Sequence, residues 1–259
     1  MVTGLILDPA DRAAIHRAIG RRVPVRICER VDVLRSLVAA SDVRVVVSEL
    51  RDRAGASVIP VLGEAGARAA APAMLVRTQL ADEAAGDVIR FAAARIPALV
   101  TFRELAAAGD PVLAALGGPG EPRADLIILE RVGPLIPRPL RAFAVLCVTS
   151  PPRLHVARAA TLLGVAGRTI ESRLDRAALP AAHRIISWCA ALHAAWELDV
   201  LGRRPKQVAA RLGYASGAAL ANLLARYCGC SATSLREHGG FQAQLERFAA
   251  LFEAAMRAT

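Results

Sequence analysis

Apolar positions in the N-terminal half come in short consecutive runs rather than in strict alternation with polar ones. GLILD (4–8), VPVRIC (23–28), VRVVVSE (43–49), AMLVRT (73–78) and ALVTF (98–102) are each dense in aliphatic residues. Ala-rich stretches with helical spacing separate them, near 9–19, 31–40, 58–69, 82–95 and 103–116. Consecutive apolar runs suit strands buried on both faces, and their alternation with helices predicts a parallel sheet covered on both sides. Residues 1–117 are therefore expected to form an α/β domain around a five-stranded parallel sheet.

The pattern changes at 117–122, where GGPGEP has the composition of a linker. No strand signal follows. Helices are expected over 124–132 and 139–148, on either side of the proline-rich GPLIPRP stretch, before Pro151 and Pro152 break the chain again. Residues 118–152 read as linker and connecting helices. An all-α domain over 153–240 and a C-terminal helix over 241–259 complete the expected organisation.

Within 153–240 one pattern occurs twice. VARAATLLGVAGRTI begins at Val156 and VAARLGYASGAAL at Val208. In each, an Ala-rich amphipathic helix ends at Leu-Gly, where glycine can take the left-handed conformation that stops a helix. An apolar residue, Val165 or Tyr214, then fills the angle before a second helix starts. That layout predicts two helix-turn-helix motifs, whose second helices can enter a major groove. Between them, 181–199 carries the helically spaced stripe Ile185, Trp188, Cys189, Leu192, Trp196, which reads as core. About 28 Å of helix at 1.5 Å per residue suits a rigid spacer between two reading heads.

Charge sharpens this picture. The net charge is +10, and Lys206 is the one lysine among 33 basic residues. Residues 1–140 hold 18 arginines against 16 acidic residues, whereas 141–259 hold 15 basic against 7 acidic. Excess positive charge confined to the second half points to a polyanionic partner. The five cysteines (Cys28, Cys147, Cys189, Cys228, Cys230) lack metal-ligand spacing and read as buried thiols of a cytoplasmic protein. The longest uncharged run, 212–225, is 14 residues, shorter than a membrane span requires. No signal-peptide pattern is visible at the start.

The two repeated motifs resemble the DNA-binding domain of AraC-type transcriptional regulators over roughly 153–238. LLGVAGRTIESRL (162–174) is similar to that family's first motif. Gly213, Tyr214, Ala215 and Ser216, running through Leu220 to Tyr227, Gly229 and Arg236, are similar to its longer signature. Ala232 stands where the family has proline, Leu220 and Leu235 where it has aromatics, and Asn222 and Ala225 where it is usually basic. The resemblance implies a bacterial-type, sequence-specific regulator whose partners are double-stranded DNA, a second copy of itself and RNA polymerase. Arg168, Thr169, Ser172, Arg173 and Arg176 are the candidate reading residues of the first head, since arginine can bond guanine bidentately and Ser and Thr suit phosphates or bases. Ser216, Gly217, Asn222 and Arg226 would let the second head dock. The bland alternative makes Arg173 and Arg176 a solvated face paired with Glu171 and Asp175.

The strand and helix order of 1–116 resembles a response-regulator receiver domain. Such a domain needs acids for Mg²⁺, an aspartate at the end of its third strand, a hydroxyl after the fourth and a lysine after the fifth. Here Asp8 supplies an acid, Thr78 the hydroxyl, and Glu49 stands at the phosphoacceptor position; Thr101, Phe102 and Arg103 bring no lysine. The resemblance implies a pseudo-receiver used for dimerisation or for partner and signal contact. An alternative function for the chain is a protein-interaction module with a repurposed helix-turn-helix unit, supported by Ala219, Leu220, Leu223 and Leu224. No phosphate loop, nucleophile elbow or dinucleotide fingerprint is present, so neither an enzyme nor a cofactor or metal site is expected.

Overall fold

In the computed structural model the aliphatic runs of the first half pair into one sheet. Residues 1–19, 24–39, 43–67, 72–78, 82–94, 96, 98–102, 124–150 and 154–258 are described; the helix expected over 103–116 and the linker at 117–122 lie outside them. The chain divides into two units, Met1–Arg123 and Ala124–Thr259.

In the first unit, β1 (Val2–Leu5), β2 (Val25–Cys28), β3 (Val45–Glu49), β4 (Ala73–Thr78) and β5 (Ala98–Phe102) are joined in the order β2-β1-β3-β4-β5. Every pairing is parallel. Helices α1 (Pro9–Ile19), α2 (Val31–Ala39), α3 (Ile59–Gly66) and α4 (Asp82–Ala93) alternate with the strands. Val2, Ile6, Ile15, Val45, Val47 and Leu75 form a buried cluster against which Val25 and Ile27 pack. β1 lies earlier than the 4–8 expected from its aliphatic run. The reason is at its end: Asp8 accepts the Ala10 amide at 2.8 Å and so caps α1, with Pro9 at the first helical position. A residue committed to a helix cap cannot extend the strand.

Gly4 sits in the middle of β1, between β2 and β3. A Cβ there would lie 2.1 Å from the Val47 carbonyl oxygen, a backbone atom of β3 that cannot swing aside.

The second unit is helical. It comprises α5 (Ala124–Val132), α6 (Arg141–Thr149), α7 (Val156–Leu163), α8 (Gly167–Arg176), α9 (Ala182–Asp199), α10 (Pro205–Arg211), α11 (Gly217–Tyr227) and α12 (Gly240–Ala258), with 3-10 turns at Gly133–Leu135 and Arg138–Leu140. At its centre lies α9, in which twelve residues from Ala182 to Leu198 are buried, leaving His183 and Arg184 exposed at its start and only a narrow polar strip through Ser187 and Glu197. It packs against α5, α6, α8, α10, α11 and α12. Trp188 meets Tyr227 edge-on with centroids 5.7 Å apart, and Trp196 meets Phe241 at 5.0 Å. The tryptophan stripe is core.

One expectation needs correction. Residues 124–149 do not merely connect two domains: Ile128, Leu129, Val145 and Leu146 are fully buried within the second unit. They belong there because α9 has apolar residues on sides that the two helix-turn-helix motifs do not reach. Arg131 of α5 adds a polar tie to α12, donating to Glu246 at 2.7 Å and to Glu253 at 2.8 Å.

Gly4→Ala is expected to force β1 away from β3 and to lower the stability of the first unit by about 2–4 kcal/mol. Urea unfolding followed by far-ultraviolet circular dichroism measures it, and a midpoint shared with the parent chain would refute the close approach.

Candidate nucleic-acid interface

Each repeated motif folds as helix, tight glycine turn, helix. Gly164 ends α7 with φ 64°, and Gly213 follows α10 with φ 71°, left-handed values that a Cβ disfavours. Past the glycine the backbone repeats itself: the Val165 amide donates to Ala160 O at 3.1 Å, and the Tyr214 amide donates to Ala209 O at 2.8 Å. The second turn is one residue longer, so α8 starts after Ala166 and α11 after Ser216. Ser216 caps its helix, its hydroxyl accepting the Ala219 amide at 3.3 Å; Ala166 has no side chain to do so.

Aligning the helices on these starts puts their buried positions in register. Ile170 and Leu174 of α8 match Leu220 and Leu224 of α11, and all four are buried. At 100° per residue the outward face of α8 then holds Arg168, Thr169, Ser172, Asp175 and Arg176. The matching positions on α11 are Ala218, Ala219, Asn222, Ala225 and Arg226. Arg168, Asp175, Arg176, Ala218, Asn222, Ala225 and Arg226 are exposed, while Thr169, Ser172 and Ala219 are partly covered. Two faces of the same geometry thus carry different chemistry. The first presents two guanidinium groups, two hydroxyls and the Asp175 carboxylate, the second mostly methyl groups with one amide and one guanidinium. Gly217, the first residue of α11, is exposed and brings its backbone to the surface. Arg226 lies 5.8 Å from the centre of the Tyr227 ring, which steadies it.

Two residues of α8 are held by the protein itself. Arg173 lies at the side of the outward face and donates from Nη1 to the Pro139 carbonyl at 3.0 Å. Glu171, on the opposite flank, accepts the Ala182 amide at 3.1 Å and so braces the start of α9. The pairing of Arg173 and Arg176 with Glu171 and Asp175 is not seen among the described residues. Sequence spacing could place Arg173 on the helix but not reveal that Pro139, 34 residues earlier, comes alongside.

Further contacts fix the second head. Glu197 at the end of α9 accepts from Arg203 at 2.5 Å and from Arg211 at 3.2 Å. Asp199 accepts the Phe241 amide at 2.8 Å and Arg236 Nε at 3.2 Å, capping α12. All five cysteines are free and buried. Burial pushes the Cys228 thiol up to about 12, and those of Cys147 and Cys189 upward as well, which leaves them unreactive thiols.

In the first unit, Glu49 stands at the C-terminal edge of the sheet, its Oε1 accepting the Leu7 amide at 3.0 Å. Arg12 reaches the same edge, where Nε donates to Ile6 O at 2.7 Å and Nη2 pairs with Glu29. The side chains of Thr78 and of 101–103 lie outside the described residues. Among the described residues no cluster of His, Cys, Asp and Glu could hold a metal ion, and no helix is long and apolar enough to cross a membrane.

No family model matches the chain, and no curated protein matches it. Among solved structures it is similar to the RcsB response regulator of Salmonella typhimurium, a structure described for conformational dynamism in DNA interaction. That similarity has 17% identity and a TM-score of 0.35, covering 68% of this chain and 88% of that one.

Ser216→Ala removes the cap of α11 and is expected to cost about 1 kcal/mol of unfolding free energy. Thr169→Ala, which removes no cap, serves as the control in denaturant titration. Equal stability of the two variants would count against the capping role.

Proposed function

We propose that this chain is a sequence-specific, double-stranded-DNA-binding transcriptional regulator of AraC type, reading DNA through α8 and docking through α11. The observation that carries the reading is the register of the two heads. Each buries one side of its second helix against the unit's core and turns the equivalent opposite side outward. On α8 that side holds Arg168 and Arg176 around Thr169 and Ser172, a set able to bond base edges and phosphates, with Asp175 beside them able to accept only from a base amino group. Arg173, occupied by Pro139, takes the role of orienting the helix rather than reading. On α11, Ser216, Gly217, Asn222 and Arg226 suit contact with the sugar–phosphate backbone.

The first unit is proposed to act as a pseudo-receiver. Its strand order and the placement of Asp8 and Glu49 at the C-terminal edge support that reading. Arg12 lies across the end of β1, where a receiver would hold its metal and phosphoryl group, and there it donates to Ile6 O and pairs with Glu29. Such a unit would serve dimerisation or contact with partners, RNA polymerase among them. The methyl-rich outward side of α11 favours the second reading, a helix-turn-helix unit turned to protein contact.

Fluorescence anisotropy with duplexes enriched from a random pool distinguishes the two. Arg168→Ala is expected to weaken binding to the selected duplex about 10–100-fold and to relax base preference at one position. Arg226→Ala is expected to weaken all duplexes alike and to reduce the slope of log affinity against log salt by about 1. Failure of every duplex to show salt-sensitive binding would sink the DNA reading in favour of protein contact.

A further inference from the structure

The second unit contains a cavity of about 710 Å³, bounded by the 3-10 turns at 133–140, the start of α6, the end of α8 and the last turns of α12. Its volume lies within the range of small-molecule sites, about 300–1,000 Å³. Its walls are of two kinds. Leu140, Leu179, Phe252 and Met256 supply an apolar surface, and Met256 remains 48% exposed. Arg138, Arg141, Arg173 and Arg176 supply the charge, and among the described residues no carboxylate lines the cavity. The buried Nε of Arg141 has no hydrogen-bond partner among the described residues. Four guanidinium groups around an apolar hollow, one with an unmet donor, form an environment suited to an anion with an apolar body.

We infer that this cavity is a binding site for an organic carboxylate with an apolar body, and that its occupation weakens DNA binding. The carboxylate would be held by Arg138 and Arg141, and the apolar body would lie against Leu179 and Phe252. The link to DNA is Arg176, which lines the cavity and also belongs to the outward face of α8. A carboxylate held by Arg138 and Arg141 puts negative charge beside that guanidinium and so opposes a DNA phosphate there. Arg173, tied to Pro139 at the cavity rim, couples any shift of the 3-10 turns to the same helix. Linkage requires that DNA reduce affinity for the carboxylate by the same factor. The coupling rests on the DNA-binding reading; the site itself does not.

The test uses the full chain and 2-naphthoate, with 2-naphthylmethanol as its neutral counterpart. Calorimetric titration without DNA is expected to show naphthoate binding at least about tenfold tighter than the alcohol, since a hydrogen-bonded charge adds more than about 1.4 kcal/mol. Arg141→Gln and the more exposed Arg138→Gln should each abolish that preference while leaving the circular dichroism spectrum unchanged. Saturating naphthoate should lower affinity for the selected duplex at least about fivefold in the parent chain, and not in either variant. Equal binding of the two probes, no binding of either, or an unchanged preference in both variants would overturn the site. Naphthoate binding as expected with no change in duplex affinity would overturn the coupling alone. Absence of DNA binding altogether would refute the proposed function and leave the site standing.

Discussion

A helix with so narrow a polar strip must be covered on almost every side, and α9 imposes that condition on the whole second unit. Its low amphipathicity means that two helix-turn-helix motifs, one at each end, cannot by themselves exclude water from it. The remaining cover comes from residues before the first motif and after the second, in α5, α6 and α12. Trp188 between Tyr227 and Phe248, with centroids 5.7 and 5.8 Å away, shows the second motif and the C-terminal helix meeting on one side chain of α9. The two heads are consequently parts of one packed body rather than modules on a stalk, and their separation is fixed by the length of α9, about 27 Å.

The same burial accounts for the inequality of the heads. Both must keep aliphatic residues at the positions facing α9, so chemistry can vary only on the outward side. There α8 carries arginine, aspartate, threonine and serine, while α11 carries mostly alanine. Local hydrogen bonds act alongside: Glu171 accepts the Ala182 amide at the start of α9 and Arg173 donates to Pro139. The cavity arises at the junction of these elements, where proline prevents residues 133–140 from closing as a continuous helix against α8 and α12. Arg138 and Arg141 carry no signal in the sequence, and packing brings them beside Arg173 and Arg176 of α8.

The first unit obeys a different constraint. Parallel strands need crossovers, and the close approach of Gly4 to Val47 leaves the central strands no freedom to shift. At the C-terminal edge, where loops of such sheets commonly bind ligands, Arg12 and Glu49 are both bonded to the end of β1. Sequence order put Glu49 at the end of a strand; that its carboxylate would bind the Leu7 amide required the fold.

Periodicity and turn chemistry alone determined a great deal here. They located the strands of the parallel sheet to within a few residues, both Leu-Gly helix stops, and the helix between the motifs, because each depends on interactions among near neighbours. They misplaced β1, where a cap competed with an aliphatic run. They also took 124–149 for a connection, because covering α9 is a demand made by residues more than thirty positions away. Which arginines face outward, that Arg173 is held by Pro139 while Arg176 is open, and that Arg138 and Arg141 share a cavity with them were decided by tertiary packing. Burial and long-range hydrogen bonds select among side chains that a one-dimensional pattern treats alike.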